Sequence, residues 1–159
     1  MTMTSLIRQA GIEDAETVAV MVGELLTEIM HTIGEPVFNV DVPATCSRLR
    51  EFLLQEHYFV FLAETEQHQP LGFIALCPSY ALYAEGGFGT IPEFYVRPAV
   101  RSQCIGQRLL TAAKAFAQTK GWKRLEVTSP PLPQFDKTLA FYQREGFSIA
   151  GGRKLKHVL

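Results

Sequence analysis

The sequence predicts an α/β fold: one mixed β-sheet with helices on both faces. Three observations lead there. Residues 91–97 alternate around Phe94 and Val96, with Glu93, Tyr95 and Arg97 on the opposite face, as a strand requires. Ile105, Leu109, Ala112, Ala113, Phe116 and Ala117 then recur at helical spacing before a second strand-like run at 124–128, which makes a parallel βαβ unit. Two aromatic and aliphatic runs, 58–64 and 71–76, are joined by Glu66–Pro70 and read as an antiparallel hairpin. The predicted order is β-α-α-β-β-β-α-β-α-β, most simply packed as a sheet between helices.

Ser5–Gln9 is short enough for an edge strand. Gly11-Ile-Glu-Asp14 supplies a cap, and 15–30 follows as a helix with Val18, Met21, Val22, Leu25, Leu26 and Ile29 inward. Gly34, Pro36 and Asn39 mark 31–42 as a loop, and Pro43 opens a second helix running to about Gln55, with Leu49, Phe52 and Leu53 on one face. The hairpin turn lacks Asn-Gly, so its loop should exceed two residues. Residues 80–89 read as a loop carrying glycine and tyrosine. Pro98 stops the strand at 91–97, and Gly121 ends the helix after it. The run Ser129-Pro-Pro-Leu-Pro133 fits neither a helix nor a central strand. Asp136 can cap a last helix from Lys137 to about Glu145, closed by Gly146. A final hairpin, 147–149 with 154–158, would turn at Gly151-Gly152.

At 159 residues, 47% of them hydrophobic and 19% charged, the chain should form a single domain with its own core. Its net charge of −1 provides no basic field for nucleic acid or a membrane surface. Cys46, Cys77 and Cys104 are odd in number and far apart, which indicates neither a disulfide framework nor a metal site. No signal-peptide pattern and no membrane-spanning apolar run is visible, so a cytoplasmic protein is expected. Nothing sets the oligomeric state, and a homodimer is admitted.

The junction after 91–97 has a chemical use. The first amides of a helix have no intrahelical acceptor and carry the positive end of its dipole, so they suit an anion. Arg101 and Arg108 add charge, and Gly106 permits close approach. Residues 101–108 therefore read as a candidate pyrophosphate cradle. No G-x-x-x-x-G-K-[ST] occurs, which argues against a P-loop enzyme.

The run Ile-Pro-Glu-Phe-Tyr-Val-Arg-Pro at 91–98, followed by Arg101-Ser-Gln-Cys-Ile-Gly106, resembles the acyl-CoA motif of the GCN5-related N-acetyltransferase family. That motif is Arg/Gln-x-x-Gly-x-Gly/Ala after a strand ending in Val-x-Pro. Ala140-Phe-Tyr-Gln-Arg-Glu-Gly-Phe147 is similar to the family's Phe-Tyr-x-x-x-Gly-Phe segment, and Ile12–Ala15 to its entry into the first helix. The resemblance implies a fold in which the strands at 91–97 and 124–128 splay apart around acetyl-CoA. Phe94, Tyr95 and Val96 would bind pantetheine. The amides of Gln103 to Arg108 would take the pyrophosphate, within a motif that also includes Arg101, Ser102, Cys104, Ile105, Gly106 and Gln107. Cys104 stands where the family usually has glycine. If that position needs a positive φ, the substitution costs roughly 1 kcal/mol. The family's asparagine after the strand at 124–128 is also missing, and Thr128 stands in that region.

Acetyl transfer to an amine requires a proton acceptor and a proton for the departing thiolate. Tyr142 matches the family's tyrosine, and a phenol of pKa about 10 suits a thiolate of similar basicity; alternatively, Tyr142 and Phe141 only pack their helix. Glu93 is the candidate base, or else an exposed carboxylate or a partner of Arg97. Glu85, His31 and His57 are fallback bases. A backbone N–H near Tyr95 or Val96 would polarise the carbonyl. Tyr80, Tyr83, Glu85 and Phe88 could form an aromatic, mildly acidic wall for an amine. The expected activity is acetyl-CoA-dependent N-acetylation of a small amine or a protein amino group by direct transfer in a ternary complex. The rival is an acyl-CoA-binding module without turnover.

Overall fold

The computed structural model describes residues 4–159. Its elements in chain order are β1 (Ser5–Gln9), α1 (Ala15–Ile33), α2 (Val42–Leu54), β2 (Phe59–Thr65), β3 (Pro70–Ala81) and β4 (Gly86–Ile91). They are followed by β5 (Phe94–Val96), α3 (Ile105–Thr119), β6 (Leu125–Val127) and α4 (Asp136–Arg144). Two compact units result, one ending at Thr128 and a smaller one, Ser129–Leu159. Among the described residues no helix is long and apolar enough to cross a membrane.

The larger unit holds one mixed sheet ordered β1-β2-β3-β4-β6, with β5 also paired to β3. All pairings are antiparallel except β4 with β6, which run parallel. Strand alternation divides the core in two. Val60 and Leu62 stand opposite Ala75 and Phe73, and these four cluster with Val18, Ala19 and Met21 of α1 and Leu49 of α2. Phe59 and Phe61 project to the other face, where their rings meet Phe116 of α3 at 4.9 and 5.5 Å. Helices thus cover both faces.

Local chemistry sets the element ends. Gly34 closes α1 at φ 73, a left-handed conformation that glycine adopts without a Cβ penalty. Asp41 caps α2 by accepting the Ala44 N–H at 3.0 Å, with Pro43 in the first turn. Asp14 accepts the Gly11 N–H at 2.8 Å and is joined to Arg8, which also reaches Glu64 at 2.7 Å. Gly121 has φ 72 just beyond α3, as expected of a C′ residue.

Several expected boundaries change. The loop expected at 80–89 is the end of β3, a turn and β4, because Tyr80 pairs with Gly87 and Ser79 with Phe88. The strand expected at 91–97 is broken at Pro92-Glu93. Cys77 pairs with Thr90 and Ile74 with Phe94, so two residues of β3 face three of the opposing chain. One extra residue makes a β-bulge, and proline's missing N–H suits the interruption. The parallel partner of β6 is therefore β4 rather than β5. The segment expected to be a short loop at 98–104 is a 3-10 helix from Pro98 to Gln103. Asp136 is the first residue of α4, Phe135 holds the cap position, and Asp136 makes no side-chain cap. The final hairpin does not form: among the described residues no strand follows β6, and 149–159 is exposed throughout.

Candidate active site

β4 and β6 pair at Gly89, Thr90 and Ile91 with Leu125, Glu126 and Val127. Beyond Ile91 the chain bulges and β5 continues along β3 instead, so the two parallel strands part. The Ala75 N–H donates to Glu93 O and the Arg97 N–H to Leu71 O, each near 2.9 Å. Alternation therefore turns the amide and carbonyl of Phe94 and Val96 to the other edge of β5, the side on which the gap opens. Gly72 makes the close β3–β5 approach feasible: a Cβ there would meet Tyr95 O at 2.5 Å.

The bulge aims Glu93 into the sheet face that carries α1 and α2. The Tyr58 hydroxyl donates to both Glu93 oxygens, at 3.1 and 3.2 Å. Burial raises the Glu93 carboxyl above its ordinary range, and the Tyr58 hydrogen bond pulls it partly back. Burial and the Glu93 charge in turn push the Tyr58 phenol far up, so it stays a donor. Glu93 is thus neither an exposed strand carboxylate nor a partner of Arg97, which pairs with Glu24 at 2.9 Å. The pair lines a cavity of about 110 Å³. Val60, Phe73 and Ala75 supply its sheet side, while Val18 and Val22 of α1 and Thr45, Arg48, Leu49 and Phe52 of α2 close it.

Downstream, Cys104 has φ 61 and ψ 19 and directly precedes α3. A right-handed 3-10 turn followed by a left-handed residue converges successive N–H groups into a concavity suited to anions. The amides of Ile105, Gly106 and Gln107 form the first turn, and that of Arg108 is already donated to Cys104 O at 3.1 Å. The Ile105 side chain is buried in the core, so only its backbone can meet a ligand. Ser102, Gln103, Cys104 and Gln107 are exposed.

The two arginines of the cradle are tied elsewhere. Arg101 donates to Val96 O at 2.8 Å and to Glu28 at 2.7 Å, and its guanidinium lies 5.8 Å from the centre of the Tyr95 ring. Arg108 is held by the hydroxyl and carbonyl of Ser5. The Tyr95 hydroxyl donates to Glu24 at 3.2 Å, and burial together with that carboxylate raises its phenol to about 12.

Thr128 is exposed, one residue past β6. Tyr80 and Tyr83 are 79% and 77% exposed, whereas Phe88 is 6% exposed. Tyr80 stands opposite Gly87, which places Phe88 on the other face of the sheet. The expected wall is therefore split: Tyr80 and Phe88 do not share a surface. Arg124 lies 5.3 Å from the rings of both Tyr83 and Phe88, and Glu85 is exposed in the turn at φ 62. His31 and His57 are exposed and outside the Glu93 cavity.

In the smaller unit Tyr142 is buried on α4, its ring tilted edgewise against Phe141 and Phe147 at 5.6 and 5.5 Å. Burial raises its phenol to about 12, a larger shift than the sequence suggests. Sequence reasoning misses Tyr58 and Arg48. Tyr58 lies 35 positions from Glu93, and no local pattern links them. Arg48 is legible only as part of the stripe Thr45, Arg48, Leu49 and Phe52, at i, i+3, i+4 and i+7.

Known proteins share this architecture. The chain superposes on an aminoglycoside acetyltransferase from an uncultured soil metagenomic sample, solved with trehalose. The TM-score is 0.76 at 20% identity, over 98% of this chain and 96% of that one. An acetyltransferase from Clostridium acetobutylicum solved with acetyl-CoA gives TM-score 0.78 at 16% identity, over 97% and 96%. A GCN5-related N-acetyltransferase from Ralstonia eutropha gives 0.76 at 21% identity, over 97% and 99%. At these identities the likeness is one of fold. A curated relative, an IAA acetyltransferase of Azospirillum brasilense, is 29% identical over 80 residues, 50% of this chain and 51% of its own. The chain thus spans about half the length of the curated relative it matches. The family model for the acetyltransferase (GNAT) domain matches residues 55–149, from just before Tyr58 to just past Phe147. That match includes β2 to α4 and well over half of the sequence, and the chain belongs to the GNAT acetyltransferase family.

Proposed function

We propose that the chain is a single catalytic domain that moves an acetyl group from acetyl-CoA to a primary amine by direct transfer in a ternary complex. The carrying observation is the Tyr58–Glu93 pair. A carboxylate with a raised proton affinity lies on the bulge, one residue before the backbone of β5 that faces the gap. A general base is most effective when its pKa approaches the working pH, and partial burial moves Glu93 in that direction.

The donor's pantetheine would pair with the Phe94 and Val96 backbone, extending the sheet. Its pyrophosphate would rest on the amides from Gln103 to Gln107. Glu93 accepts a proton from the amine, directly or through one water, and the freed lone pair attacks the thioester carbonyl carbon. A β5 amide donates to the oxygen as it becomes an oxyanion. As the C–S bond breaks, the nitrogen would release its second proton to solvent, and the thiolate would take a proton, for which Tyr142 is our candidate donor. The acetyl-CoA bound by the Clostridium acetobutylicum protein supports the choice of donor, and the aminoglycoside acetyltransferase supports an amine as acceptor. The acceptor is a small-molecule amine or a protein amino group, met in a reducing cytoplasm where Cys46, Cys77 and Cys104 stay free.

A thiol-release assay with acetyl-CoA across an amine panel tests this reading. Amine-dependent release of CoA is expected. Tight CoA binding with no transfer to any amine would instead favour a binding module.

A further inference from the structure

The Glu93 cavity carries one cationic and one anionic side chain, and they enter from different elements. Glu93 comes from the bulge and Arg48 from the exposed edge of α2. Four other arginines of the larger unit have carboxylate partners: Arg8 with Asp14 and Glu64, Arg97 with Glu24, Arg101 with Glu28 and Arg124 with Glu126. Arg48 has no such partner among the described residues, although it shares a helical face with Leu49 and Phe52 at the cavity. Between the charges the walls are apolar, chiefly Val18, Val22, Leu49 and Phe73.

We propose that the acceptor is a zwitterionic amino acid, its amine directed to Glu93 and its carboxylate to Arg48. This rests on the reading of Glu93 as the base of an N-acetyltransferase. A guanidinium recognises a carboxylate through a planar, two-pronged pair of charge-assisted bonds. The same cation disfavours a polycationic acceptor, whose second ammonium would face it. The cavity's volume, about 110 Å³, suits a compact aliphatic side chain. The apolar lining selects such a side chain over a polar one.

The test compares leucine with isoamylamine, the same skeleton without the carboxylate, and with a diamine of similar length. The readouts are CoA release and binding to the CoA-loaded protein by calorimetry. For the wild type, kcat/KM for leucine should exceed that for isoamylamine by tenfold or more. Arg48→Ala should remove that preference, lowering kcat/KM for leucine tenfold or more relative to that for isoamylamine, and Arg48→Glu should favour the diamine. Circular dichroism and thermal melts establish that both variants fold. The proposal is overturned if the wild type acetylates both amines equally, or if Arg48→Ala keeps the leucine preference. If no amine is acetylated, the transferase reading fails, and Arg48-dependent leucine binding still decides the carboxylate subsite. Equal leucine binding by the wild type and Arg48→Ala would reject it.

Discussion

Replacing Cys104 by glycine separates two meanings of the missing glycine. At φ 61 and ψ 19 a residue with a Cβ is held in the left-handed region, at a cost of about 1–2 kcal/mol. Its carbonyl accepts the Arg108 N–H at 3.1 Å, the first hydrogen bond of α3, so the strained turn belongs to the fold itself. The cost therefore falls on folding, and a ligand meets a cradle already shaped. Glycine removes the strain but gains unfolded-state freedom, about 0.5–1 kcal/mol in the opposite direction. The net expectation for Cys104→Gly is about 0.5–1 kcal/mol of added stability, a rise in melting temperature of about 2 °C for a chain of this size. Cys104→Val should melt lower than the parent, since a branched Cβ tolerates positive φ worst. Urea unfolding gives the stability and calorimetry the acetyl-CoA affinity, which should stay within about threefold. If the glycine variant binds acetyl-CoA more than tenfold tighter with unchanged stability, the turn is induced by the ligand and the reasoning fails.

Three further outcomes follow from the same geometry. Tyr142→Phe should lower kcat at least tenfold with little change in acetyl-CoA affinity; equal turnover would remove Tyr142 from the chemistry. Arg8→Ala leaves Asp14 and Glu64, 9% and 3% exposed, without their cation, and should cost about 2 kcal/mol, discounted because Arg8 is 40% exposed. Hydrogen bonds to Arg8 hold both carboxyls below their ordinary range, so this stability is present above the unfolded carboxylate pKa. It is lost as pH falls through the lowered folded values, and a loss measured by urea at pH 7 should shrink in acid. Gly72→Ala would push a Cβ to 2.5 Å from Tyr95 O, a backbone atom that cannot swing away, and should destabilise by more than 1 kcal/mol. An unchanged unfolding midpoint would show that β3 and β5 can separate freely.

Much of the larger unit was legible because its signals are local. Val18, Met21 and Ile29 are buried as their helical spacing requires, and the four-residue turn between β2 and β3 agrees with the absence of Asn-Gly. The left-handed Cys104 was legible as a substitution for glycine. The bulge was not, since Pro92 interrupts a run whose alternation looks unbroken in one dimension. Its consequence, a carboxylate turned toward Tyr58, depends on register across the sheet. The arginines were misleading for a related reason. Their positive charge is local, but Glu24 and Glu28 approach from 73 positions away and engage Arg97 and Arg101. In the smaller unit, Gly151-Gly152 permits a turn without supplying a buried face, and Leu155 and Val158 stay 92% and 78% exposed. A turn signal alone does not make a hairpin.

The central claim is that Glu93 takes the proton from the amine. The pH dependence of kcat/KM, compared between the wild type and Glu93→Gln, tests it most directly. The raised carboxyl should place the acid limb above the ordinary carboxylate range of about 4.3, with activity falling as pH drops through it. Glu93→Gln keeps an acceptor for the Tyr58 hydroxyl, and should lose about a hundredfold or more in kcat/KM together with that limb. A glutamine variant that retains wild-type activity and the same acid limb would contradict the account.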